Sequence, residues 1–368
     1  MLEREYLADP SRLRAHRQAR ALVGNGPYRF VEWVPGSHIT LEAYDRFSEG
    51  KPKIRRQVWR FILDSSVLQA NVIAGQVDVT GINNFSIDQM VEIERRAPHT
   101  TAHFLPGFNW EQIRVNLDNE WLRDKRVRQA LIHAINREEI SRRLFYGKQP
   151  VAHTWLPPGH EGHNPNVHQY AYDPARARDL LTEAGFTPGP DGILRDRSGK
   201  RFELVIMTTA GYAVREQVQL IMREHLRAVG IDLKIDNRPA GVLFGPVYRR
   251  RQFPHLIMFA TGWSVLSLGY ADWHSSQIPT PTNNFEGGNI SGWRHEENDR
   301  LLDQIAGELD AVRRVRLLKR QQETWVEELP AIPLWFLLTL ATSKKTLKNV
   351  APNIYGGNWK PDRWEWAE

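Results

Sequence analysis

The chain has 368 residues, 41% of them hydrophobic, with 13 tryptophans and no cysteine. It can therefore bury a substantial core, and it holds no disulfide, zinc–thiolate site or thiol nucleophile. Its net charge of +6 comes from 49 basic residues, 38 of them arginine, scattered among 43 acids; with no reading motif beside it, that charge is a solvated surface and not a nucleic-acid groove.

The first twenty residues, "MLEREYLADPSRLRAHRQAR", lack the apolar core of a signal peptide. "GNGPYRFVEW" (24–33) and "SHITLEAY" (37–44) then read as a hairpin turned by Pro35-Gly36. It is apolar on both faces and so needs a cover. "IRRQVWRFIL" (54–63) reads as a strand. "DSSVLQANVIAG" (64–75) is a helix with an Asp/Ser cap and a glycine stop. A strand is predicted at 76–82 and an amphipathic helix at 86–97, ended by Pro98. This β-α-β-α order is the grammar of an α/β domain.

"EQIRVNL" (111–117) is a further predicted strand, and helical spacing runs through 124–147, where Asn136 caps a second helix with Glu139 three residues on. Residues 148–172 form a long loop rich in Pro, Gly, His and Asn. The helix at 172–186 has Asp173 as its cap, Pro174 in its first turn and Gly185 at its end. Next come a β-α-β unit (202–209, 215–230, 231–236), a helix at 240–251 and a strand at 255–260. Residues 261–295 are aperiodic. One long helix is predicted over 296–329, with Leu301, Leu302, Ile305, Leu309, Val312, Val315 and Leu318 on its buried face. "AIPLWFLLTLA" (331–341) follows, too short and proline-bearing for a transmembrane helix. The aromatic tail "GGNWKPDRWEW" is expected to pack.

Chemistry-bearing patterns are few. His153, His160, His163 and His168 crowd the 148–172 loop, but "HEGH" lacks the helix that a metal-binding pair needs, so no metal site is expected. "GGNISGW" (287–293) has no strand-then-helix context for phosphate. Glu296-Glu297 sit at a helix start, where the dipole favours acids. No nucleophile–base set occurs, so no enzyme is expected and no cofactor. What stands out is 263–293, where tryptophans alternate with small hydrogen-bonding residues. Trp263, Ser264, Trp273, Asn289 and Trp293 are the candidate ligand-binding residues, because amphipathic rings beside small polar groups suit an organic ligand. The competing role for each ring is filling the core under an irregular loop.

Six stretches in order carry a resemblance: "GNGPYRFVEW", "DKRVRQALIHAINREEI" (124–140), "YAYDPARARDLLTEAGF" (170–186), "NISGWRHEENDRLLDQI" (289–305), "RVRLLKRQQ" (314–322) and "LPAIPLWF" (329–336). From 24 to 340 the chain resembles the extracytoplasmic solute-binding proteins of bacterial ABC importers, family 5, the oligopeptide/dipeptide-binding type. The resemblance implies an α/β, two-lobed periplasmic-binding-protein fold of type II, in the large class with mixed sheets, closing on a ligand. It implies a peptide or small-molecule ligand and ABC permease subunits as partners, no nucleic acid, and a periplasmic or otherwise extracytoplasmic place for the parent protein.

In that family the Gly-Pro-Tyr hairpin lies well inside the polypeptide. The expectation is therefore an N-terminally incomplete chain, from a truncated gene, a split gene whose missing segment is carried on another chain, or a start assigned too late: 1–107 the rest of lobe I, 108–338 lobe II, 339–368 the return to lobe I. Peptide-binding members have Trp-x-x-Asp where this chain has Trp263-Ser264-Val265-Leu266, so an acid that would hold a peptide ammonium is replaced by Leu266. An ammonium left without a partner there would cost several kcal/mol. The alternative reading is a cytosolic ligand-sensing module derived from the same fold.

Overall fold

The computed structural model describes residues 24–262, 264, 266, 268–353 and 360–367. Two compact units divide them: one takes in the residues up to Leu105 and from Thr339 onward, the other runs from Pro106 to Leu338. The divisions expected from the sequence fall at 107/108 and 338/339.

In the first unit, β1 (Tyr28–Val34) and β2 (His38–Ala43) pair antiparallel. Ser37 N–H donates to Val34 O at 3.0 Å across the turn, and Gly36 holds φ +76°, which a side chain would strain. β3 (Arg56–Arg60) adds to β2, giving the order β1-β2-β3, and the register aligns Trp33, Ile39 and Trp59 in one row. Both tryptophans of that row stay 43% exposed. Helix α1 (Ser65–Ile73) is capped by Asp64, which accepts from Val67 N–H, and Gly75 follows its end at φ +73°. Helix α2 (Ile87–Arg96) opens on a reciprocal Ser86–Gln89 capping box. The strand predicted at 76–82 is only a brief contact, bridging Val79 to Ser343.

The second unit is built on a mixed sheet. β4 (Thr100–Val115) is far longer than the predicted 111–117. The strand runs through Pro106 and Gly107, with Pro106 turned to solvent. Helices α3 (Lys125–Ala134) and α4 (Arg137–Phe145) divide where Asn136 accepts from Glu139 N–H. Asp173 caps α5 (Pro174–Glu183) by accepting from two backbone N–H groups. A small hairpin of β5 (Thr187–Pro188) and β6 (Leu194–Arg195) was not foreseen.

β7 (Glu203–Met207), α6 (Ala213–Arg227) and β8 (Asp232–Ile235) form the expected unit, with β7 and β8 parallel. The predicted helix at 240–251 is broken: α7 (Ala240–Val242) runs into a π turn at Leu243–Val247, where Gly245 leaves helical geometry beside Pro246. β9 (Leu256–Gly262) lies parallel to β7 and antiparallel to β4. With β10 (Ala331–Lys344) the sheet order is β10-β4-β9-β7-β8. One face carries Met207, Ile257 and Phe259 against Leu243, Val247, Phe253 and Ile290; α6 lies on the other.

The single helix expected over 296–329 is two, α9 (Glu296–Gly307) and α10 (Ala311–Glu328), after the short α8 (Tyr270–Trp273). Asp310 starts the second by accepting from Arg313 N–H. The break throws Leu309 and Val312 into solvent, 93% and 60% exposed, so neither belongs to the buried face. In the tail, β11 (Leu347–Lys348) pairs with β12 (Glu365–Trp366), and Trp364 is buried; residues 356–359 of the aromatic stretch lie outside the described residues.

Candidate functional site

The second unit's topology points to one place. β7 has parallel neighbours on both sides, and the connections to them leave on opposite faces of the sheet. Such a switch opens a crevice outside the carboxyl ends of the strands. Residues 208–212, 236–238 and 262–269 follow those ends. The first two segments are fixed rigidly. Thr208 Oγ1 donates to Met258 O at 2.8 Å, and Thr208 N–H donates to Asn237 Oδ1 at 3.1 Å. Asn237 and Gln219 exchange two amide bonds of 2.9 Å. Tyr212 stays half-exposed at the start of α6 with the Arg215 guanidinium 4.6 Å from its ring centre, and Phe244 is likewise exposed, 6.0 Å from Phe259.

Of the candidate residues, Trp263 lies outside the described residues, as do Val265 and Ser267. Ser264 is exposed, and its Oγ accepts from Leu266 N–H at 3.2 Å. Leu266 itself is 82% exposed. Trp273, Asn289 and Trp293 sit inside the unit. Trp273 packs edge-on against Trp325 at 5.3 Å and under the Arg114 guanidinium at 3.8 Å. The Asn289 amide donates to His274 O (3.1 Å) and Trp293 O (2.9 Å), while its oxygen accepts from Trp293 N–H (3.0 Å). Asn289 thus staples the loop to itself. Rings beside amides read in the sequence as a recognition surface because both groups need partners; the Asn289 amide finds its partners internally, and the Trp273 and Trp293 rings are buried, with the Trp273 indole N–H lacking an acceptor among the described residues.

The charged pairs next to this region escaped the sequence reading. Arg114 on β4 is fully buried and donates to Asp272 Oδ1 at 2.6 Å. Burial pushes the Asp272 carboxyl up, and Arg114 opposes the shift. Burial likewise raises the Tyr248 hydroxyl, which lies close enough to feel both charges. On the other face of the sheet, Arg215 grips Glu111 with two bonds of 2.9 and 3.1 Å. Desolvation pushes the Glu111 carboxyl up to about 7, against the pull of Arg215. The only warning in the sequence was two charges inside the predicted strand "EQIRVNL". Asp272 is the sole acid between Gly262 and Trp273, and its charge is already matched.

The loop histidines serve local structure. His160 Nδ1 accepts from Gly162 N–H at 3.0 Å, and His163 Nδ1 bonds Leu156 O at 2.8 Å. Burial holds His153 down to about 4, so it is neutral. His168 stands edge-on to Tyr170 at 4.5 Å. Among the described residues no three His, Asp or Glu side chains converge as a metal set, and no helix is long and apolar enough to cross a membrane.

Residues 7–276 match the family model described as "Bacterial extracellular solute-binding proteins, family 5 Middle". The oligopeptide-binding protein AppA of Bacillus subtilis is 29% identical over 291 residues, 76% of this chain and 50% of that protein. An oligopeptide-binding protein of Thermus thermophilus, solved with a pentapeptide, shares 37% identity at a TM-score of 0.68, covering 93% of this chain and 62% of that one. HbpA2 of Haemophilus parasuis shares the fold at a TM-score of 0.81 and 22% identity, over 96% of this chain and 66% of its own. The chain spans about half the length of the curated relatives it matches.

Proposed function

The chain belongs to the bacterial extracellular solute-binding proteins of family 5, and on that premise we propose that it is the substrate-binding component of an ABC importer. It captures a peptide or similar small organic solute outside the cytoplasmic membrane and hands it to permease subunits. The observation that carries the reading is the 37% identity, across 93% of the chain, to a protein solved with a bound pentapeptide. The family is one of binders, so affinity comes from desolvated contacts and not from bond making.

Within the second unit the ligand is held at the carboxyl ends of the parallel strands, in the stretch that follows Gly262. Trp263 and Ser264 make the direct contacts, with Trp273, Asn289 and Trp293 as the packed support beneath. The exposure of Ser264 and Leu266 and the rigid rim at Thr208 and Asn237 support this assignment. Because Leu266 stands where the acid would be and Asp272 is matched by Arg114, the ligand presents no free ammonium there.

Isothermal titration tests both points. With alanyl-phenylalanine and its N-acetylated form as probes, the wild type shows no preference for the free amine, and Leu266→Asp gains one. Trp263→Ala weakens binding by about tenfold, roughly 1.4 kcal/mol, with an unchanged unfolding midpoint. Equal affinities in the Leu266→Asp variant would remove the selectivity argument; a Trp263→Ala variant that loses only stability would place that ring in the core.

A further inference from the structure

At the strand ends of the second unit the exposed side chains are apolar and the charges are already matched. Residues 208–212 and 262–269 contain no charged side chain, and 236–238 contain only Asp236 and Arg238. Those two pair with each other at 2.6 Å. The charges just behind them are paired as well, Arg215 with Glu111 and Arg114 with Asp272. Tyr212, Phe244 and Leu266, by contrast, stay 51%, 41% and 82% exposed.

The backbone holds Phe244 out. Leu243 and Val247 sink into the core with Ile257 and Phe259, and the π turn that carries them, with Gly245 out of helical geometry, leaves Phe244 in solvent. Turns of this kind gather at functional sites. The ring is nevertheless braced. It stands edge-on to Phe259 at 6.0 Å and tilted against Tyr248 at 6.2 Å, and Tyr248 stands edge-on to Phe259 at 5.4 Å. Burial raises the Tyr248 hydroxyl, so it stays un-ionised. A ring braced in this way has little freedom left to lose when a guest settles on it.

Resting on the placement of the ligand beyond Gly262, we propose that the part of the solute entering the second unit is an uncharged aromatic group received by Phe244, with Tyr212 as a second ring of the rim. The solute class is then neutral and aromatic, and N-blocked peptides bearing a phenylalanine, tyrosine or tryptophan side chain belong to it. A carboxylate or ammonium at that place would leave water and find every countercharge of these segments engaged, which is costly. An aliphatic group would shed water equally well, but it lacks the edge-to-face contact that a second ring makes with Phe244.

Titration calorimetry on the purified chain tests this with four probes, N-acetyl-alanyl-X-amide, where X is phenylalanine, leucine, aspartate or lysine. The phenylalanine probe is expected to bind tightest, and the aspartate and lysine probes about tenfold or more weaker. Phe244→Ala weakens the phenylalanine probe about tenfold, leaves the charged probes where they were and leaves the melting temperature unchanged, because the ring is exposed. Phe244→Leu keeps apolar over charged but erases phenylalanine over leucine. Equal binding of charged and aromatic probes, or a Phe244→Ala variant that weakens all four alike, would overturn the proposal. Trp263→Ala separates this outcome from a misplaced site: if it weakens binding while the probes are not discriminated, the placement stands and the neutral aromatic class falls. If it changes nothing, or no probe binds the wild type, the placement falls and the proposal with it.

Discussion

Arg114 lies wholly inside the second unit, and its positive charge is tolerable there only because Asp272 sits 2.6 Å away. Asp272→Asn keeps the shape and removes the countercharge, so the buried guanidinium is left uncompensated. The expected loss is about 3 kcal/mol in urea unfolding. Replacing both partners by apolar residues, Arg114→Met with Asp272→Leu, is expected to cost less than either single change, since no lone charge remains; additive losses would show that the pair is not coupled. Glu111 gives a pH signature. Its carboxyl stands at about 7 in the folded chain against 4.5 in a free side chain, so the folded state holds the proton more tightly. The contribution is fully present below about 4.5 and fades as pH rises through 7, worth up to about 3 kcal/mol. Glu111→Gln should flatten the change in melting temperature between mildly acidic and mildly alkaline buffer, whatever it does to the absolute value. An unaltered slope would assign the titration elsewhere. Neither pair was legible in the sequence. A charge inside a strand announces that a partner exists, but Asp272 is 158 positions from Arg114 and Arg215 is 104 from Glu111, beyond any local pattern.

Local chemistry was legible wherever a single side chain decides an element's end. Asp64, Asn136 and Asp173 stand in the sequence where helix caps belong, and each accepts the expected backbone N–H. The failures came where periodicity outran a local signal. Leu309 and Val312 continue the helical spacing of Leu302 and Ile305, yet Gly307 ends one helix and Asp310 starts the next. Two substitutions separate the readings. Leu309→Gln is expected to change stability by less than about 0.5 kcal/mol, because the side chain is already in water; a core position would lose several times more. Asp310→Ala removes the cap bond to Arg313 N–H and should cost about 1 kcal/mol. β4 failed for the opposite reason. Pro106 and Gly107 are poor strand formers by local rules, yet the strand runs through both. The candidate site was legible as a region, through the rings and amides of 263–293, but not as surface against interior. Three of its five residues are buried, and burial is a property of the packed unit that sequence spacing does not carry.

At the scale of the molecule, landmark order carried more than any one motif, and the family match over residues 7–276 agrees with it. Binding rather than turnover is the central claim, and native mass spectrometry of the purified chain, incubated with a defined mixture of short peptides, tests it most directly. The expected result is a one-to-one adduct with intact peptide, enriched in N-blocked members and depleted in the Trp263→Ala variant. No adduct with the wild type, or peptides recovered cleaved, would contradict the account.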